Sequence, residues 1–125
     1  MIYPYIDDEP IVSLDIQTKD EGWIKVNAYI DSGAGFSVFH SDYAEALGLE
    51  LESGKKIFLT VGDGGQIPAY VHKIPVKFAG KRFQAEIAFS PSLGVGTNLL
   101  GLVSFFEQFS ICFHHVKKYV EVREK

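Results

Sequence analysis

Apolar and polar residues alternate in short runs along most of this chain, and a period of two predicts strands rather than helices. Ile11, Leu14 and Ile16 stand against Ser13, Asp15 and Gln17; after the polar turn Lys19-Asp20-Glu21-Gly22, a second run continues from Trp23 to Ile30. The two read as an opening β-hairpin. Ser37-Val38-Phe39 resumes the extended pattern, and the stretch from Asp42 to Gly48 then offers an acidic N-cap at Asp42, a glutamate at Glu45 and a closing glycine, which predicts one short helix. Strands over 56–61 and 66–78 flank Gly62-Asp63-Gly64-Gly65, so this glycine-rich turn joins them as a hairpin. Pro68 and Pro75 confine parts of the second strand to an edge or a bulge. Beyond the turn at 79–81 the pattern gives a strand over 82–89 and a loop over 90–97 that delivers Asn98-Leu99-Leu100-Gly101. A second short helix is expected over 102–109, with Glu107 and Gln108 outward, and a last hairpin from 110–113 and 119–122. No repeat and no linker interrupts the chain, so residues 1–125 are expected to form one all-β domain.

With 46% hydrophobic and 14% aromatic residues, 125 residues suffice for a real core. The net charge of -4, with no Lys/Arg block longer than two residues, carries no nucleic-acid footprint. Cys112, the single cysteine, excludes an intrachain disulfide, and its apolar neighbours Ile111 and Phe113 suggest a buried structural thiol in a reducing compartment. The first residues lack a basic start and a sustained apolar region, and no apolar run approaches about 18 residues. The expectation is a soluble, cytoplasmic protein without nucleic-acid or membrane partners.

Chemistry concentrates where the Trp23 strand ends, at Ile30-Asp31-Ser32-Gly33-Ala34-Gly35. A carboxylate held by small, turn-prone residues at a strand end can be aimed by its scaffold. The segment resembles the D-[ST]-G-A signature of aspartic peptidases in the single-lobe, retropepsin-like form typified by retroviral proteases. The order of elements, from D-S-G-A through the short helix and the Gly-rich hairpin to Asn98-Leu99-Leu100-Gly101, is similar to that lobe over nearly the whole chain. Such an enzyme needs two aspartates. Asp63-Gly64-Gly65 follows a glycine rather than an apolar strand and reads as a turn, so the second carboxylate would be Asp31 of an identical chain, across a C2 axis.

The resemblance implies a closed acid-protease barrel with one or two short helices and its active site at the dimer interface. It also implies a homodimeric aspartic endopeptidase acting on an extended polypeptide, without cofactor or metal. Asp31 would be the catalytic carboxylate; Ser32, Gly33 and Ala34 would complete the active-site loop. Gly62, Asp63, Gly64 and Gly65 would form the flap over substrate, and Leu99, Leu100 and Gly101 would pack beside the catalytic loop in a ψ-shaped substructure. The paired carboxylates would share one proton, the ionised member activating a water and the protonated one donating to the scissile carbonyl. Two positions depart from the retroviral pattern: Gly35, where those enzymes commonly carry an acidic residue, and Leu102, where charged residues are frequent.

Other groupings are weaker. Ser37, His40 and Asp31 lack a nucleophile-elbow context. His72, His114 and His115 have no acidic or cysteine partner at ligand spacing and read as surface or sheet-edge histidines. Trp23 and the aromatic C-terminal third read as core and dimer contact. The alternative function is a non-catalytic peptide-binding or dimerisation module on the same fold.

Overall fold

A computed structural model of the chain describes residues 1–93 and 98–125. Among these residues there are ten strands: β1 (Ile2–Pro4), β2 (Ile11–Gln17), β3 (Trp23–Ile30), β4 (Ser37–His40), β5 (Lys55–Thr60), β6 (Gln66–Phe78), β7 (Lys81–Ser90), β8 (Asn98–Leu100), β9 (Phe109–His114) and β10 (Tyr119–Glu124). One helix, α1 (Ser41–Ala46), follows β4. Of the loop expected over 90–97, residues 94–97 lie outside the described part.

Hydrogen-bonded neighbours run β2-β3-β8-β4-β7-β6-β5, and β6 pairs back to β2 through Asp15↔Lys77 and Ile16↔Val76. That return closes six strands into a barrel and leaves β5 projecting from β6 as a hairpin arm. The inward residues of the alternating strands fill the barrel, as expected for so small a closure: Val12, Leu14 and Ile16 of β2 meet Val26, Ala28 and Ile30 of β3 in one buried cluster with Phe39, Ile87, Phe89 and Leu100. From Ile87 to Ser90, β7 is buried on both faces, because Ala88 points the other way into a second cluster with Val38 and Ala69. Both prolines of β6 sit where one flank is unpaired. Pro68 pairs with Phe58 before the β7 ladder begins at Tyr70, and Pro75 falls between the last β5 partner, Val71, and the first β2 partner, Val76.

A three-stranded sheet, β1-β10-β9, is pinned to the barrel by aromatic rings. Phe78 lies 5.8 Å from Phe105 and 5.2 Å from Phe109, both edge-to-face, and Tyr3 stacks on Phe78 at 5.7 Å. The Tyr3 hydroxyl accepts from the Ala79 amide at 3.1 Å. Burial pushes its pKa above the usual phenol value, opposed by that amide.

Several sequence expectations need correction. The α1 N-cap is His40, whose Nδ1 accepts from the Asp42 amide at 3.1 Å, so Asp42 belongs to the first turn instead. No regular helix spans 102–109: Val103 is extended, Ser104 has φ 70°, and Phe109 already belongs to β9. The amides of Leu102 and Val103 are taken by Ala34 O and Gly35 O, and the Ser104 hydroxyl accepts from Glu86 N at 3.0 Å, so the segment is tied to the barrel before it can wind. Cys112 is exposed. In β9 the residues flanking Ser110, Phe109 and Ile111, are covered, and period two sends Cys112 outward with Ser110 despite its apolar neighbours. Trp23 is not core but a half-buried ring on the outer barrel face, with Lys77 Nζ 4.0 Å and the Arg82 guanidinium 5.3 Å from its centroid. His72, by contrast, is half-buried in β6, its Nε2 2.9 Å from Leu51 O, and His114 stacks on Tyr119 at 4.2 Å within the terminal sheet.

Candidate active site

The bend after β3 is built by a crossing of strands. β8 lies between β3 and β4, parallel to the first through Ala28↔Asn98, Tyr29↔Leu99 and Ile30↔Leu100, and antiparallel to the second at Val38↔Leu99. Residues far apart in sequence thereby meet at Asp31. Its amide donates to Leu100 O at 2.9 Å, its carbonyl accepts from Ala34 N at 3.2 Å, and its Oδ1 accepts from Gly33 N at 2.9 Å. The chain leaving β8 then grips the far side of the loop, Leu102 N donating to Ala34 O at 2.9 Å and Val103 N to Gly35 O at 2.8 Å.

This crossing is tight at Gly101. A Cβ there would stand 2.6 Å from Phe36 O and 2.7 Å from Ala34 O, inside any real carbon–oxygen contact. Ser37, fully buried, accepts from the Gly101 amide through Oγ at 2.9 Å and so satisfies a donor that no strand partner reaches. Ser37→Ala should leave that amide unpaired and cost about 1–3 kcal/mol of stability, measured by urea denaturation. An unchanged midpoint would show that the hydroxyl is dispensable. Ser37 and His40 are thus engaged separately, the first under Gly101 and the second at the α1 N-cap.

Asp31 is half-buried on the floor of an open cleft of about 670 Å³ whose other wall is the β5/β6 hairpin. Gly33, Ala34 and Gly35 line the floor with Phe36, Val38 and Leu99; Phe58 to Asp63 and Ile67 come from the hairpin. Ser32 is exposed at the loop's outer edge. At the hairpin tip Val61 N donates to Gly65 O at 2.8 Å, Gly64 N to Val61 O at 2.9 Å, and Gly65 N to Asp63 Oδ1 at 2.8 Å. Gly64 has φ +85°, which favours glycine, and a Cβ at Gly62 or Gly64 would meet nothing within 4 Å. The tip is held to itself and hardly to the barrel. The structure therefore gathers the predicted loop, hairpin and Leu99-Leu100-Gly101 segment into one place.

The apolar lining went unseen in the sequence, with Phe36, Val38, Phe58 and Ile67 as its main members. A hydrophobic residue at 60% exposure, as Phe58 shows, is a signal only once the hairpin is folded over the cleft. Among the described residues, no group of three or more His, Cys, Asp or Glu is arranged to hold a metal ion, and no helix is long and apolar enough to cross a membrane.

No family model matches this sequence, and no curated protein matches it. Solved structures do. A retropepsin-like aspartic protease from Rickettsia conorii is similar over 98% of this chain and 97% of its own, with a TM-score of 0.70 and 19% identity. EIAV protease, complexed with the inhibitor HBY-793, is similar over 77% of this chain and 84% of its own, with a TM-score of 0.55 and 20% identity. The chain has the fold of the retropepsin-like aspartic proteases.

Proposed function

We propose that this protein is a homodimeric aspartic endopeptidase in which two copies of Asp31, one from each protomer, face each other across a two-fold axis. The observation that carries the reading is Asp31 itself: a carboxylate presented by a rigid strand crossing, on the floor of a cleft whose opposite wall is a glycine-tipped hairpin. A lone carboxylate has no partner with which to divide acid and base roles. Two like charges brought face to face share one proton, so one member can take a proton from water while the other donates to the scissile carbonyl oxygen. Because the groups titrate as a pair, the proton belongs to the dyad and not to either Asp31.

The substrate in this reading is an extended polypeptide crossing the axis beneath the two hairpins, paired to them by main-chain hydrogen bonds with its side chains in the apolar lining. Closure of the 62–65 tip would exclude water and align the scissile bond. The protomer surface is consistent with pairing. Leu102, 53% exposed beside the Asp31 loop, offers an apolar contact, and the exposed Ser32 has a hydroxyl to offer a partner.

Light scattering at micromolar concentration should give about twice the chain mass of 13.9 kDa. Hydrolysis of a denatured protein should be blocked by a statine-containing peptide that mimics the tetrahedral intermediate. A strict monomer, even with that inhibitor present, would leave each Asp31 alone and overturn the mechanism.

A further inference from the structure

We propose that Asp63, at the tip of the β5/β6 hairpin, selects substrates carrying a Lys or Arg side chain beside the bond to be cleaved. The inference rests on the peptidase reading above and adds the residue that would set its preference. Among the described residues that line the cleft, Asp31 and Asp63 are the only ionisable ones; the others are apolar, glycine or threonine. The cleft therefore combines a low-polarity wall with charge of a single sign, and a low-polarity wall strengthens the field that a cation meets on entering.

Asp63 differs from Asp31 in having no chemistry to perform. One oxygen, Oδ1, is committed to the turn through the Gly65 amide at 2.8 Å. Among the described residues no lysine, arginine or histidine forms a salt bridge with Asp63. Lys56, on the same arm, makes no salt bridge with Asp63; its Nζ lies 5.4 Å from the centroid of the Phe58 ring. Asp63 thus brings an uncompensated carboxylate to the tip of the wall that covers substrate. A Lys or Arg stem would lie along apolar surface with its charged head at that carboxylate. A Glu or Asp at the same position would meet charge of its own sign and be rejected.

The test uses the full-length Asp31→Asn protein, so that peptides bind without turnover and Asp63 is left as the one lining carboxylate. Labelled extended peptides carry a single Lys moved along an otherwise neutral apolar sequence, each with a norleucine counterpart of similar shape, and binding is followed by fluorescence anisotropy. At one position the Lys peptide should bind about fivefold more tightly than its counterpart, and the advantage should fall with added salt. Asp63→Asn in the same protein should remove the advantage while keeping the Oδ1 acceptor for Gly65, so the turn survives. Equal binding of both peptides at every position overturns the inference, as does an advantage that persists in Asp63→Asn. Wild-type hydrolysis of the norleucine peptides, measured in parallel, separates the two readings: cleavage without discrimination sinks the role of Asp63 alone. Discrimination without cleavage sinks the peptidase and leaves Asp63 as a selector in a binding cleft. Absence of binding by any peptide overturns both.

Discussion

Asp31→Asn should reduce peptide hydrolysis by at least about 10³-fold, because neither member of the pair could then act as the base that takes a proton from water. The fold should be unaffected. Asn keeps an Oδ1 to accept from Gly33 N, and the backbone bonds to Leu100 and Ala34 do not involve the side chain. Removing the proton-sharing carboxyl pair from the axis relieves its like-charge repulsion and should leave the dimer as stable or more so. Kinetics on a peptide substrate, with circular dichroism and light scattering on the same preparation, separate lost chemistry from lost structure. Hydrolysis at the wild-type rate, in material free of host peptidases, would place the reaction elsewhere.

Gly101→Ala should be severely damaging for a change of one methyl group. The reason is space and not conformation: Gly101 has φ -119° and ψ -164°, extended backbone that any residue adopts. Its added Cβ would fall 2.6 Å from Phe36 O and 2.7 Å from Ala34 O. Neither oxygen can retreat freely, since Ala34 O is held by Leu102 N at 2.9 Å and Phe36 runs directly into the buried β4. We expect a loss of at least about 3 kcal/mol, seen as a fall of roughly 1–2 M in the urea midpoint. Any folded remainder should have a displaced Asp31 loop and little activity. A variant with wild-type stability would mean that the crossing of β8 beneath the loop is looser than its distances indicate.

Much of this architecture was legible in the sequence because it is local. The β2/β3 hairpin and the whole of β6 follow from period-two alternation bounded by turn residues, and the D-S-G-A bend announces itself by composition. What escaped is set by contacts between distant segments. β1, three residues long, exists as a strand because Ile2, Tyr3 and Pro4 pair with Glu121, Val120 and Tyr119 at the other end of the chain. The segment after Gly101 looks helical by its apolar spacing, yet its first amides are claimed by Ala34 and Gly35. Cys112 and Trp23 differ from expectation for one reason: hydrophobicity says that a residue can be buried, and only the register says which face is covered. For Ser37 the signal was present, a hydroxyl between Phe36 and Val38, but its partner Gly101 becomes visible only when β8 is laid between β3 and β4.

The β8 crossing also has a consequence for the order of assembly. Asp31 lies in the first third of the chain, yet its loop is held by residues 98–103, across a pairing that joins Ala28 to Asn98. During synthesis the carboxylate leaves the ribosome long before the strand that orients it, and contacts so distant in sequence form late and slowly. A growing chain therefore carries the acid without the site. If the peptidase reading holds, a nascent molecule cannot cut itself or its neighbours until residues 98–103 are available to fold.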